Sequence, residues 1–235
     1  EFDYIFVSAQ RRRGEMEEIM KELNYKRIGI YLLGLLILGC GIDLNTKTQL
    51  GVSPIISVAY NIAYLTHIPI GVMTFIYYVL LVIIQWILLG KKFDYFQFLQ
   101  IPASLVTSFF IQVFDGVIPV ASSFPARIAM LILAIVITGI GASLTVGMKI
   151  VPNPADGLAS VIGEKCHKGF GFGKNLFDGI SIIISLIIGF VFTGGILGIG
   201  LGTVISMIFT GRVIALLETS ISRLYSSVTE IEFVE

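Results

Sequence analysis

Charged side chains are scarce in this chain: Asp, Glu, Lys and Arg make up 14% of its 235 residues, against 55% that are hydrophobic. Soluble domains of ordinary composition carry roughly a quarter of their residues as charges. Mean hydropathy is +0.91, so a soluble domain is excluded and an integral membrane protein is the expected class. An excess of one sign is lacking too, since the 16 basic residues balance the 16 acidic ones. Without a basic stripe interleaved with aromatics, nucleic acid is not expected as a partner.

Cysteine and histidine are as sparse. Cys40 and Cys166 lie in or beside apolar runs and offer neither a disulfide framework nor a metal cluster. His67 and His167 have no ligand-spaced companions, so they are expected to be interfacial rather than metal-binding. The glycines of 194–202 are not a phosphate loop, because no strand precedes them and no Lys-Ser/Thr follows. Gly194, Gly198 and Gly202 stand four apart and are expected to serve close helix packing. No Ser-His-Asp set or paired-histidine motif occurs; neither enzyme activity nor a cofactor is expected.

Long hydrophobic runs are what the chain has in abundance. Six approach the roughly 20 residues that cross a hydrocarbon core: 28–46, 70–90, 97–116, 127–148, 173–193 and 197–217. Two more, 53–66 and 153–165, are too short to span and read as re-entrant or interfacial segments. Residues 1–26 are too polar for a signal sequence; with Glu17, Glu18, Lys21, Glu22 and Lys26 at helical spacings they read as a solvated cytoplasmic segment.

The chain also repeats itself at an offset of 100. Identities fall at Arg27/Arg127, Leu33/Leu133, Ile37/Ile137, Gly39/Gly139, Gly41/Gly141 and Leu44/Leu144. They continue at Pro54/Pro154, Ala59/Ala159, Ile62/Ile162, His67/His167 and Gly71/Gly171. That exceeds chance matching in an apolar-biased chain, and the unit is span, short segment, span, span. Three spans per unit put the second unit upside down. With a cytoplasmic amino terminus, every Lys and Arg except Lys47 and Arg127 then lies on the cytoplasmic side. If all eight segments crossed, Lys47, Lys91, Lys92 and Lys149 would lie outside, so the positive-inside rule favours six spans.

The expected fold is therefore an all-α membrane protein of six transmembrane helices plus two re-entrant half-helices. It divides into the segment 1–26, repeat 1 (27–118), repeat 2 (119–220) and a cytoplasmic tail (221–235), the repeats inverted. Both short segments open on a helix start. In Ser53-Pro54 and Asn153-Pro154 the first residue is a preferred N-cap. Proline follows where its missing N–H costs nothing, and Asp156 adds a carboxylate in the first turn. Inverted repeats with interrupted helices at matching points indicate a transporter's central site, and helix N-termini attract anionic or polar groups.

"LGVSP" at Leu50–Pro54, followed by Gly71 and "LLGKKF" at Leu88–Phe93, resembles the YczE/YitT-like family of bacterial integral membrane proteins over most of residues 27–220. The resemblance implies a multi-span protein of the bacterial cytoplasmic membrane and, through members grouped with small-molecule exporters, transport. That family often places an acid two residues after its first-motif proline. Ile56 holds that position here, and Asp156 its counterpart in the second half.

Other polar residues fall inside or beside the runs. Asp178 lies about a turn inside a span and is expected either to couple transport to an ion or to pair with Lys174 at the interface. Asp43, Asn45, Lys47 and Gln49 are expected to mark the outer end of the first span, and Asn61, Gln97, Gln100 and Gln112 to bridge helices.

The expected function is a small secondary transporter, with export among its directions, for a small polar or anionic organic solute. Ser53, Pro54, Asn153, Pro154 and Asp156 frame the site, Asp178 is the coupling residue, and the partners are the bilayer, the solute and a second copy of the chain. A substrate-capture subunit of an energy-coupled vitamin importer is the first alternative, although Gly34, Gly39 and Gly41 on the first span fit its docking pattern poorly. A membrane scaffold or regulator that transports nothing is the second.

Overall fold

The computed structural model describes residues 24–229; the expected cytoplasmic segment 1–26 lies almost wholly outside them, and the expected tail 221–235 in part. Eight α-helices make up the described chain: α1 (Tyr25–Lys47), α2 (Pro54–Thr66), α3 (Ile70–Leu89), α4 (Gln100–Val117), α5 (Phe124–Gly147), α6 (Pro154–Lys165), α7 (Gly169–Thr193) and α8 (Leu201–Thr229). Six are long and apolar enough to cross a membrane, counting α3 and α4 with the 3-10 turns that border them. The apolar α2 is shorter.

The backbone has matching features at the offset of 100. Among the described residues, four that are not glycine have positive φ: Gln49 (54°), His67 (57°), Lys149 (50°) and His167 (54°). They form two pairs 100 residues apart, at the ends of α1 and α5 and of α2 and α6. Left-handed residues commonly terminate helices, and outside glycine they are uncommon. His67 and His167 are exposed at these chain reversals.

Contacts fix the relative directions of the helices. Positions 34 and 41 of α1 face Leu144–Thr145 and Thr138 of α5, while Gly141 faces Leu38, so α1 and α5 run antiparallel. A Cβ on Gly41 would stand 2.5 Å from the Thr138 backbone; glycine permits this approach where apolar lipid supplies no hydrophobic drive for packing. Gly39 faces Phe110 of α4 and, further on, Lys47 Nζ meets Asp115 Oδ1 at 2.6 Å, so α1 and α4 are parallel. Gly139 against Val213 and Gly147 against Ile221 make α5 and α8 parallel as well. Arg27, fully buried, ties the same layer: its guanidinium donates to the carbonyls of Met148 (2.7 Å) and Lys149 (3.0 Å) at the end of α5. Arg127 reaches Gln49 at 2.7 Å in the mirrored place.

The helices sort into two groups. One is α1, α4, α5 and α8, in which α1 packs on α5, α4 on α1 and α8 on α5. The other is α2, α3, α6 and α7, in which each short helix packs between α3 and α7. Buried polar atoms cross the second group: Asn61 Nδ2 donates to the Ser185 carbonyl (2.8 Å) and Ser185 Oγ to Ser57 Oγ (2.8 Å). The groups meet mainly along the α3–α4 seam, whereas α7 and α8 hardly touch.

The glycines of 194–202 depart from the expectation of a packed helix stripe. Gly194 and Gly198 have positive φ and lie in the linker before α8, which starts at Leu201 rather than at 197. The linker presses on the turn between α1 and α2: Val52 N–H donates to the Gly198 carbonyl (2.8 Å) and Gly202 N–H to that of Leu50 (2.6 Å). A Cβ at Gly200 or Gly198 would strike Leu50 or Asn61, so close approach of backbone, not helix against helix, requires glycine here. At the other end α8 runs on to Thr229, and Tyr225 lies beneath the cations of Arg27 and Lys149, 5.3 and 4.4 Å from its ring centroid.

Candidate functional site: a cavity between two helix groups

A cavity of about 510 Å³ lies between the two groups. Its walls come from α1 and α5 (Leu38, Ile42, Thr138, Ala142), from α8 (Ser206 to Ala215), and from the starts of α2, α6 and α7. Ser53, Pro54, Asn153, Asp156 and Asp178 all line it. Five of the six residues expected from sequence are thus in one place. Pro154 is set back from the wall, its carbonyl accepting from Gln85 Nε2 at 3.0 Å.

The two helix starts are built differently. Asn153 Oδ1 accepts from the Ala155 N–H at 3.0 Å, the expected cap. Ser53 makes no such side-chain bond, so its hydroxyl does not cap α2 and is left to the cavity it lines. Proline opens both helices in keeping with its fixed φ.

Charge is concentrated on one wall. Lys174 Nζ stands 3.1 Å from Asp178 Oδ1 and 3.7 Å from Asp156 Oδ1. Asp178 is 3% exposed and Asp156 8%. Two acids share one ammonium, so with all three ionised the cluster carries one uncompensated negative charge. Asp178 thus pairs with Lys174 as the second expectation had it, but in the buried cavity wall rather than at the surface. In the first half the positions matching Lys174 and Asp178 are Thr74 and Tyr78, both fully buried. Tyr78 lines the cavity.

Residues 25–219 match the model of a family of unknown function, DUF6198. The chain belongs to that family. The match takes in every wall of the cavity. An uncharacterized protein of Haemophilus influenzae is similar to this DUF6198 protein, 26% identical over 201 residues, which cover 86% of this chain and 87% of the relative. No solved structure matches.

Elsewhere in the DUF6198 protein several of the polar residues named from sequence act as ties. Lys47 binds Asp115, Asn45 Nδ2 donates to Ser206 Oγ (2.8 Å), and Gln112 Oε1 accepts from the Gly71 N–H (3.0 Å). Gln100 exchanges two 3.1 Å bonds with Gln85. Asp43 is fully buried and its Oδ2 has no protein partner. Gln97 is buried with its carbonyl oxygen unpaired. Sequence reasoning missed Tyr78 and Gln85, which look like ordinary residues of an apolar span. Only the offset of 100, which aligns Tyr78 with Asp178, hints at the first.

Proposed function

We propose that this DUF6198 protein is a small secondary transporter of the bacterial cytoplasmic membrane, moving a small polar or anionic organic solute by alternating access, with export among its directions. The observation that carries the reading is the convergence of Ser53-Pro54 and Asn153-Asp156, the starts of two short helices, on one cavity between two helix groups.

Helix directions support inverted repeats. α1 and α4 are parallel, which three crossings per unit require and four would forbid, and the antiparallel α1 and α5 set the units in opposite senses. In that reading α2 and α6 are re-entrant half-helices, and irregular backbone before them is tolerated because it borders a cavity. The uncapped start of α2 receives the polar or anionic group of the solute. Asp178, through Lys174 and Asp156, is the coupling residue, since an intramembrane acid with a half-shared partner can exchange a proton or cation with the gradient. Gly34, Gly39 and Gly41 are occupied by contacts to α5 and α4, which leaves them unavailable to dock a motor. A YczE/YitT-like kinship accords with this reading.

The test is a thermal-shift panel of small organic acids and zwitterions on the purified protein, followed by counterflow in proteoliposomes. A stabilising solute that exchanges across vesicles, with both effects lost in Asp156→Asn, is the expected result. No stabilising solute, and no exchange of any, would point to a scaffold instead.

A further inference from the structure

The two repeats are alike in sequence order but not in how their last two helices meet. In the first, α3 lies against α4. A Cβ on Gly71 would stand 2.5 Å from the Ser108 carbonyl oxygen, and the Gly71 N–H donates to Gln112 Oε1 at 3.0 Å. At the matching place in the second, a Cβ on Gly171 would meet nothing within 4 Å, and Gly171 and Arg212 both line the cavity. Arg212 is the counterpart of Gln112 at the offset of 100.

Other pairings have counterparts at the same offset. α4 packs on α1 as α8 packs on α5, and α2 packs on α7 as α6 packs on α3. Among the described residues, the matched helix pairs contrast most at the seam between the two groups, closed at α3–α4 and open at α7–α8. Two groups that each keep their internal contacts can exchange one seam for the other by rocking as bodies, since packed interfaces switch between discrete arrangements rather than deform continuously.

We propose that the α7–α8 cleft is the open gate of the cavity, that closing it seats Gly171 against the Arg212 region of α8 as Gly71 is seated against Gln112, and that the α3–α4 seam then parts. This deepens the transporter reading and rests on it. With the amino terminus inside, the start of α7 and the end of α8 face the cytoplasm, so the present state is inward-open and the α3–α4 seam is the outer gate. The two gates differ chemically. Gln112 accepts a backbone bond, while Arg212 can only donate and on closure moves toward the wall that carries Asp156 and Asp178. Closure of the inner gate is thereby sensitive to the charge held in the cavity.

The experiment is cross-linking of Gly171→Cys with Arg212→Cys by a short bismaleimide, in a Cys40→Ser, Cys166→Ser background in native membranes. A low yield is expected in the parent and a several-fold higher yield once the outer seam is weakened by Gly71→Val, which wedges it against Ser108. Gln112→Ala, which only removes the acceptor for the Gly71 N–H, tests the same point if the wedge does not fold. A yield that neither seam variant raises overturns the proposal. That failure is separable from failure of the inverted-repeat reading, which the sidedness of position 92 decides by itself: a cytoplasmic position 92 with an unmoved cross-link yield removes the gate alone.

Discussion

Asp156, in the first turn of α6, and Asp178, a turn and more inside α7, are held by the same ammonium, that of Lys174, at 3.7 and 3.1 Å. Neither acid is near the other in sequence, and the cluster forms only because α6 and α7 pack side by side at the cavity wall. Its asymmetry, two acids to one base, is the feature from which the site's chemistry follows.

Removing the base leaves two buried acids uncompensated. Lys174→Met is expected to destabilise the protein by about 3 kcal/mol, the lower end of the cost of breaking a buried pair, because the cavity hydrates the survivors in part. Asp178→Asn should cost clearly less, since Lys174 keeps Asp156. The measurement is the Tm of each purified variant in one detergent. Lys174→Met no worse than Asp178→Asn would mean that the acids are already neutral.

Gln85 and Gln100 exchange two amide bonds in a buried place where no other side chain replaces either. Gln100→Leu leaves the Gln85 amide oxygen without its donor and is expected to cost about 1–3 kcal/mol. Adding Gln85→Leu should recover part of that loss, because two apolar groups of similar shape need no partners. The recovery is incomplete, since Gln85 also donates to the Pro154 carbonyl. A double-mutant cycle with no coupling would contradict the pairing.

Close packing at the α1–α5 crossing predicts a contrast between two glycines of one helix. Gly41→Ala pushes a methyl into the Thr138 backbone, whereas Gly29→Ala meets open space. The first is expected to lower stability by about 1–3 kcal/mol through overpacking. The second should be neutral or slightly stabilising, as alanine is the better helix former. Thermal denaturation of the two variants side by side checks the crossing.

The crossing number has its own measurement. Lys92→Cys, in a background lacking Cys40 and Cys166, places a thiol in the exposed turn between α3 and α4. A membrane-impermeant reagent should leave it unlabelled in intact cells and label it after permeabilisation. Labelling from outside, with the amino terminus shown to be inside, would mean that α2 crosses the membrane.

Composition and run length alone determine that this chain is a helical membrane protein with six long apolar helices, because hydrocarbon leaves backbone polar groups no partner other than the helix itself. Pattern at the offset of 100 also carries the order of helices and the proline-led starts of α2 and α6, since N-caps and prolines act within a turn of chain. Four residues singled out on that basis, Ser53, Pro54, Asn153 and Asp156, line one cavity for the same reason: the motif that starts a short helix is also the end that faces the cavity. Tertiary structure alone decided the rest. Gly194, Gly198 and Gly200 became part of a linker that packs on the turn at Leu50–Gly51, a contact across about 150 residues of chain. Lys174 became a bridge because α6 delivers Asp156 to it, and Tyr78 became part of the site because its span turns that face inward. Above all, identical helix order says nothing about which of two matching seams is closed. That choice depends on side chains of different helices meeting or failing to meet, Gly71 against Ser108 and Gln112 on one side, Gly171 against open space on the other.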